Sequence, residues 1–191
     1  MSPPPGGSAP DPSDLANRVR LGDVAAFEQL FRSTYPSLCA FAHRYLDESA
    51  RAEDLVQDLF AELWARRDRW EVRGSVRAYL FSAVRNRALN LRARDRVERD
   101  WADDESIADV RALHSSPASP AELLDVAETR AAIDAAMESL PERCRLVMLL
   151  RWREQLSHAE IAVVLGISTK GVEGQLARGL RAMRARFGSS R

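Results

Sequence analysis

Apolar residues recur at helical spacing along residues 14–99. Four groups show this spacing: Phe27, Leu30 and Phe31; Leu38, Phe41 and Ala42; Val56, Leu59, Phe60 and Leu63; Leu80, Phe81, Val84, Ala88 and Leu91. Sustained alternation of apolar and polar residues between hairpin turns, the signature of strands, is missing from the sequence. The pattern predicts three or four packed helices here and a second helical block from about Pro120 to Phe187.

The stretch LSHAEIAVVLGISTKGVEGQLARGLRAMRARF, residues 156–187, carries signals for two successive helices. Ser157 and Glu160 have the spacing of a capping box, which satisfies backbone donors at a helix start. Gly166 can supply the left-handed residue that ends this short helix, and Ser168 is placed to cap the next one. The order of signals predicts a helix-turn-helix.

The second helix of this motif has two different sides. An apolar stripe is predicted on one side, formed by Val172, Leu176, Leu180, Met183 and Phe187. The other side carries Lys170, Gly174, Ala177, Arg178 and Arg181, as a helix that enters the major groove of DNA requires. The alternative is an ordinary helical hairpin with a solvated basic face. Gly171, Gly174 and Gly179 each cost roughly 1 kcal/mol relative to Ala inside a helix. Gly174 can allow close approach to DNA, whereas Gly171 and Gly179 lie off the cationic side and are equally well explained as simply tolerated.

These patterns predict an all-α protein with two small helical domains joined by an acidic linker. Residues 1–13, rich in Pro, Gly and Ser, are predicted to be disordered. We place the N-terminal helical domain at 14–99, a flexible acidic linker at 100–121, and the helix-turn-helix domain at 122–191.

The composition, 46% apolar and 29% charged over 191 residues, is typical of a globular protein. Cys39 and Cys144 stand far apart without metal-ligand spacing, so they are predicted to be buried free thiols, and no metal or cofactor is expected. Apolar runs stay below the roughly 18 residues that would cross a bilayer, and the first residues lack signal-peptide features. We therefore expect a cytoplasmic protein that does not insert into membranes.

The net charge of zero hides a sorting of charge along the chain. Residues 1–65 carry −5, residues 66–99 carry +7, residues 100–142 carry −9, and residues 143–191 carry +7. Two basic segments therefore flank an acidic one. A basic segment alone is as compatible with a solvated face as with nucleic-acid binding, so the residues inside each segment must decide.

The first basic segment places polar and basic side chains on one face of a predicted helix. Asn86, Asn90 and Arg94 are four residues apart, opposite the buried positions of residues 77–96. The preceding loop has cations around Trp70, an arrangement in which an unpaired base can stack on the indole ring. A lone Trp after a helix more often closes a core, and this alternative stays open.

The segment AEDLVQDLFAELW, residues 52–64, aligns Asp54, Asp58 and Glu62 at successive i,i+4 positions. Like charges at this spacing repel by roughly 0.2 to 0.5 kcal/mol per pair. The burial of Leu59, Phe60 and Leu63, roughly 1.5 to 3 kcal/mol each, is large enough for the helix to form in spite of this repulsion. The column is either a solvated face or a docking surface for a cationic partner.

The order of these parts resembles the extracytoplasmic-function (ECF) sigma factors, the smallest class of the sigma-70 family of bacterial RNA polymerase. The resemblance covers about residues 22–187 and includes AEDLVQDLFAELW, VRNRALN and the helix-turn-helix in sequence. It implies a non-enzymatic subunit that binds core RNA polymerase, recognises −10 and −35 promoter elements and helps to melt DNA. It also implies external control by an anti-sigma factor.

The resemblance also implies roles for individual residues. Contacts with the clamp helices of the largest polymerase subunit are expected from Asp54, Gln57, Asp58 and Glu62. Binding of the −10 element and its melted strand is expected from Arg69, Trp70, Arg73, Ser75, Arg85, Asn86, Asn90 and Arg94. Reading of the −35 element is expected from Ser168, Thr169, Lys170, Gly174, Arg178 and Arg181. Asn90 and Gly171 depart from the usual family pattern, where Asp and Thr are common.

Three further interpretations remain beside this one. A helix-turn-helix regulator with an N-terminal dimerisation or ligand domain would leave residues 54, 58 and 62 without a task, and a helical adaptor would leave both basic segments unexplained. An enzyme has little support, because His43, His114 and His158 are scattered.

For the acidic segment around Asp103, Asp104 and Glu105, the alternatives are a solvated linker and a segment that occupies a basic channel of the polymerase.

Overall fold

The computed structural model describes residues 12–72, 74–102 and 132–188, and all regular elements within them are helical. The prediction of an all-α fold is confirmed. The helices are α1 (Pro12–Arg20), α2 (Val24–Ala42), α3 (Ser49–Ala65), a 3₁₀ turn (Arg67–Arg69), α4 (Val76–Ala102), α5 (132–138), α6 (Glu142–Met148), a π turn (Leu149–Arg153), α7 (His158–Leu165) and α8 (Thr169–Phe187). Most of the acidic segment, including Asp103, Asp104 and Glu105, lies outside the described residues.

Helices α1–α4 belong to one compact unit, in which α2 packs against α1, α3 and α4. The largest side chains of its core include Leu38 of α2, Phe60 of α3 and Phe81 of α4, all nearly inaccessible to solvent. Phe27 and Phe31 of α2 meet the Phe60 ring edge-on, with ring centroids 5.9 and 4.9 Å away. The predicted apolar groups therefore supply this core.

The N-terminus of α2 is fixed by Asp23. Its side chain accepts a hydrogen bond from the Ala26 N–H at 3.0 Å and pairs with Arg18 of α1 at 2.8 Å. An aspartate at this position satisfies an unpaired backbone donor and interacts favourably with the helix dipole. Helix α1 starts at Pro12, so helical structure begins inside the segment predicted to be disordered, and residues 1–11 lie outside the described ones.

In the second unit, α6 packs against α8 at Gly179. A Cβ atom on this buried glycine would lie 2.0 Å from Met148 Sδ and 3.0 Å from Cys144 Sγ. The Cys144 thiol donates a hydrogen bond to the Gln175 carbonyl at 3.2 Å. Gly179 therefore has a packing role, and of the two predicted buried thiols Cys144 is buried while Cys39 is half-buried.

Helix α6 continues into the π turn, where the Glu154 N–H donates to the Leu149 carbonyl five residues earlier. The helical segment ends before Gln155, a non-glycine residue with a φ of +57°. Its side-chain amide donates to the Trp152 carbonyl at 2.6 Å, which links this residue back to the π turn. Apolar spacing alone did not indicate this interruption.

Candidate functional site

Helix α7 starts with the predicted capping box. The Ser157 N–H donates to Glu160 Oε2 at 2.7 Å, and the Glu160 N–H donates to Ser157 Oγ at 3.2 Å. These reciprocal bonds satisfy two donors that a helix start leaves unpaired. His158 is the first residue of α7.

The turn after α7 has the geometry that the glycine and serine predicted. Gly166 adopts a φ of +63°, and the Ile167 N–H donates back to the Ala162 carbonyl at 3.0 Å. Ser168 Oγ then accepts a hydrogen bond from the Gly171 N–H at 3.0 Å and caps α8. The predicted helix-turn-helix is therefore present.

The buried face of α8 is shorter than the predicted stripe. Val172, Leu176 and Gly179 are buried, whereas Leu180 and Phe187 are exposed by 37% and 43%. Each helical residue turns by about 100°, so position 179 lies only about 20° from position 172 whereas position 180 lies about 80° away. Gly179, which has no side chain, therefore continues the buried face of α8, and Leu180 does not.

The opposite side of α8 is exposed, as predicted, at each of Lys170, Gly174, Ala177, Arg178 and Arg181. Thr169 is exposed at the start of the same helix, beside the Ser168 cap. Lys170, Arg178 and Arg181 form no ion pair with any residue that the structure describes. These cations are therefore available to an anionic ligand.

Helix α4 presents the predicted polar face. Asn86, Asn90 and Arg94 are exposed, and Arg85 is half-buried. The predicted apolar positions of α4 from Leu80 to Ala88 are buried, and Leu91 is half-buried. Because the apolar side of α4 is buried, its polar face is exposed to solvent along three turns of the helix.

Trp70 does not form an exposed platform. Its side chain is only 8% exposed and its ring lies against Tyr79 at a centroid distance of 6.0 Å. The indole is large and apolar, so burial against the unit is favoured over an exposed position in the loop. The alternative interpretation, in which Trp70 closes the core, matches this structure.

The predicted −10 loop also includes Arg69, Arg73 and Ser75. Arg69 ends the 3₁₀ turn and is exposed, and Arg73 lies outside the described residues. Ser75 has a local task that the sequence reasoning missed: its Oγ accepts a hydrogen bond from the Ala78 N–H at 3.2 Å, at the start of α4. A serine three residues before a helical N–H is a recognisable capping signal.

The three carboxylates of the column on α3 have different surroundings. Asp54, Asp58 and Gln57 are exposed, and the two aspartates have no ion pair within the described part of the chain. The Gln57 amide donates to the Tyr35 hydroxyl at 3.2 Å. Asp54 and Asp58 therefore remain open to a partner, as the docking interpretation requires.

Glu62 differs from these two aspartates because both of its carboxylate oxygens are engaged. Arg66 Nη1 lies 2.9 Å from Oε1, and Arg87 of α4 donates to Oε2. The bond from Arg87 and the charges of both arginines lower the pKa of Glu62. Arg87 was missed by sequence reasoning, since it stands 25 residues from Glu62 and the pairing depends on how α3 and α4 pack.

A cleft of about 790 Å³ lies beside this pair, between the end of α3, the 3₁₀ turn and the start of α4. Trp70 and Tyr79 supply aromatic lining, and Glu62, Arg66 and Arg87 supply charged lining.

No cluster of His, Cys, Asp and Glu among the described residues could hold a metal ion. None of the helices in those ranges has the length and apolar character needed to cross a membrane.

Both halves of the chain match models of one protein family. Residues 30–97 match Sigma-70 region 2, and residues 130–183 match Sigma-70, region 4. The first match contains α3 and most of α4, and the second contains the helix-turn-helix.

Full-length relatives agree with these matches. The chain is 28% identical to the RNA polymerase sigma factor NccH of Alcaligenes xylosoxydans over 182 residues, which cover 92% of this chain and 94% of NccH. It is 24% identical to the ECF RNA polymerase sigma factor RpoE of Cereibacter sphaeroides, covering 85% and 86% of the two chains. The structure of RpoE from Bartonella quintana, solved with the anti-sigma factor NepR, has the same fold, with a TM-score of 0.60 at 24% identity over 88% of this chain and 100% of that one.

The chain belongs to the ECF group of the sigma-70 family of RNA polymerase sigma factors. It is a transcription initiation factor and not an enzyme. The two alternatives, a regulator with an unrelated N-terminal domain and an adaptor without a DNA role, are wrong, because region 2 and region 4 are both present.

Proposed function

We propose that this sigma factor divides its tasks among three separate surfaces. The exposed face of α3 binds core RNA polymerase, the polar face of α4 with its preceding loop binds the −10 element, and the cationic side of α8 reads the −35 element. The observation that carries this proposal is that the exposed aspartates of α3 are unpaired among the described residues, while exposed polar and basic residues occur on other helices, α4 and α8.

The polymerase surface comprises Asp54, Gln57 and Asp58. Their side chains are exposed and the two carboxylates are not neutralised by any residue that the structure describes, which favours a cationic partner. The clamp helices of the largest polymerase subunit are the partner that the family resemblance implies.

The −10 surface comprises Arg69, Arg85, Asn86, Asn90 and Arg94, with the loop from Arg69 to Ser75 beside it. Amide side chains on an exposed helical face can bind base edges by two hydrogen bonds, while the arginines contact phosphates. In this proposal the buried Trp70 side chain anchors the loop, and it is not a surface on which nucleotide bases stack.

The −35 surface lies at the N-terminal half of α8. Ser168, Thr169, Lys170 and Gly174 are exposed at the helix start, with Arg178 and Arg181 further along. A Cβ atom on Gly174 would meet no atom within 4 Å, so the backbone is open to close approach by DNA. This is the end of a recognition helix that normally enters the major groove.

We further propose that the chain works in the cytoplasm, where polymerase and promoters are, and that an anti-sigma factor controls it. The Bartonella relative was solved with such a partner. Affinity capture of the chain from its own cells should recover a protein whose purified form inhibits sigma-dependent transcription. Capture of polymerase subunits alone would count against this partner.

The decisive test of the proposal is run-off transcription on a promoter library with core polymerase, with and without this protein. Specific transcripts are expected only when both are present, and the selected promoters should share −35 and −10 elements. Triple substitution of Asn86, Asn90 and Arg94 by Ala should then reduce −10-dependent initiation and leave core binding unchanged. Unaltered transcripts from this variant would contradict the assignment of α4.

A further inference from the structure

We propose that Glu62 is a positioning residue for the −10 surface and not a polymerase contact. Its carboxylate holds Arg66 and Arg87 in the lining of the cleft, where their free N–H groups can bind a phosphate of single-stranded −10 DNA. The inference rests on the proposed −10 role of α4, and it changes the role that the sequence predicted for Glu62.

The contacts of Glu62 support this role. One carboxylate oxygen is used by each guanidinium, so the carboxylate bridges the end of α3 to the middle of α4. The negative charge of this carboxylate is thus already balanced by two arginines of the same chain, which weakens its attraction for a cationic polymerase surface. Asp58, one helical turn earlier, is exposed and has no such partner among the described residues.

The charges support an anionic ligand. One carboxylate between two guanidiniums leaves one net positive charge, and the side chains of Arg66 and Arg87 remain 75% and 34% exposed. A guanidinium has five N–H donors, so a bond to Glu62 leaves donors on each arginine for phosphate oxygens. The bridge also restricts both arginines, which lowers the entropy lost when they bind a ligand.

The position of Arg87 connects the bridge to the −10 surface. Arg87 lies three residues before Asn90 on α4, a spacing that makes side chains neighbours on a helix surface, and Asn90 belongs to the exposed polar face. Tyr79, a residue that is 40% exposed, also lines this cleft. A strand that crosses the α4 face with its bases toward Asn86 and Asn90 would therefore bring a phosphate to Arg87.

The test compares Glu62→Gln with Asp58→Asn, two variants that each remove one charge from α3 and keep the side-chain size. Core affinity, and binding of assembled holoenzyme to a single-stranded −10 oligonucleotide, are measured for both. Glu62→Gln should keep core affinity within about twofold and weaken oligonucleotide binding about fivefold, because the arginines lose their preorganisation. Asp58→Asn should show the reverse, with weaker core binding and normal oligonucleotide binding.

Three outcomes would overturn the proposal: a loss of core affinity in Glu62→Gln like that of Asp58→Asn, no change in either measurement, or tighter oligonucleotide binding. Tighter binding would mean that the carboxylate competes with DNA for the arginines. If wild-type holoenzyme itself fails to bind the −10 oligonucleotide, the proposed −10 function of α4 has failed instead, so the two failures are distinguishable.

A double-mutant cycle separates positioning from a general structural effect. Arg87→Gln should weaken oligonucleotide binding and reduce the slope of log K against log salt by about 0.7, the value for one lost phosphate contact. Adding Glu62→Gln should then cost little more, since the residue that it positions is already gone. Additive losses, or unchanged salt dependence in Arg87→Gln, would contradict the mechanism.

Discussion

At the scale of single residues, Gly179 shows how the absence of a side chain sets the distance between two helices. Met148 and Cys144 of α6 occupy the space that a Cβ atom would need. Position 174 of the same helix has open space instead. The two glycines therefore form a matched pair in which only one is required by packing.

We expect Gly179→Ala to destabilise the protein and Gly174→Ala to stabilise it. Overpacking against Met148 should cost about 1 to 3 kcal/mol, more than the gain of up to about 1 kcal/mol in helix propensity that both substitutions bring. Urea unfolding of the full chain, with hydrogen exchange along α8 to locate the change, measures both effects. Equal stabilisation by the two substitutions would show that Met148 moves aside freely.

Asp23 gives a pH-dependent contribution to stability. The Ala26 N–H and the Arg18 guanidinium lower its pKa below 3.8, so the folded state favours the ionised form. The stabilisation should be complete above pH 3.8 and disappear as the pH falls through the lowered folded-state value. The Asp23→Asn variant should thus be less stable than wild type at pH 7, and the difference in stability should shrink in acid. Thermal unfolding measured over a range of pH tests this. A difference in stability that persists in acid would contradict it.

At the scale of elements, predictability depends on how far apart the interacting residues are in sequence. The capping box, Gly166 and the Ser168 cap act over at most five residues, so the helix-turn-helix was predictable. The bridge from Glu62 to Arg87 depends on the packing of α3 against α4, and periodicity carries no information on it. The burial of Trp70 likewise depends on what the loop packs against.

The cationic side of α8 leads to a prediction for the element as a whole. Arg178→Ala and Arg181→Ala should each weaken binding to −35 duplex DNA and lower the salt slope by about 0.9 if each neutralises one phosphate. Arg143→Ala on α6 is the control, since Arg143 is also exposed in this unit but has no proposed contact with DNA. Fluorescence anisotropy over a salt series gives the slopes, and equal slopes in all three variants would remove both arginines from the −35 surface.

At the scale of the whole molecule, net neutrality results from segments of opposite charge rather than from even mixing. The two carboxylates of Asp54 and Asp58 are unpaired within the described ranges, while the cations of α8 are exposed. Exposed charges of each sign therefore favour different partners, a polymerase subunit and DNA, and steer their association. This distribution was visible in the sequence, although the pairing of Glu62 with Arg66 and Arg87 was not.

Reversal of the acidic face should separate polymerase binding from folding. Asp54→Lys with Asp58→Lys should abolish core binding, because two favourable charge contacts become repulsive, and should leave the helical content unchanged. Glu28→Lys with Asp47→Lys applies the same charge change at exposed positions outside this face. Size-exclusion chromatography with core enzyme and circular dichroism measure the two properties, and equal core binding by both double variants would exclude this face as the docking surface.

The π turn at Leu149–Arg153 makes chain length a stricter constraint than residue identity at one point of the sequence. It accommodates one residue more than an α-turn, and each helical residue corresponds to about 100° of rotation. A relative that lacks one residue in this stretch would form a regular α-helix and leave it in a different direction, before the capping serine of the helix-turn-helix. Single-residue insertions and deletions here are therefore expected to change the direction in which the chain leaves the helix, which a conservative substitution within the turn would not do.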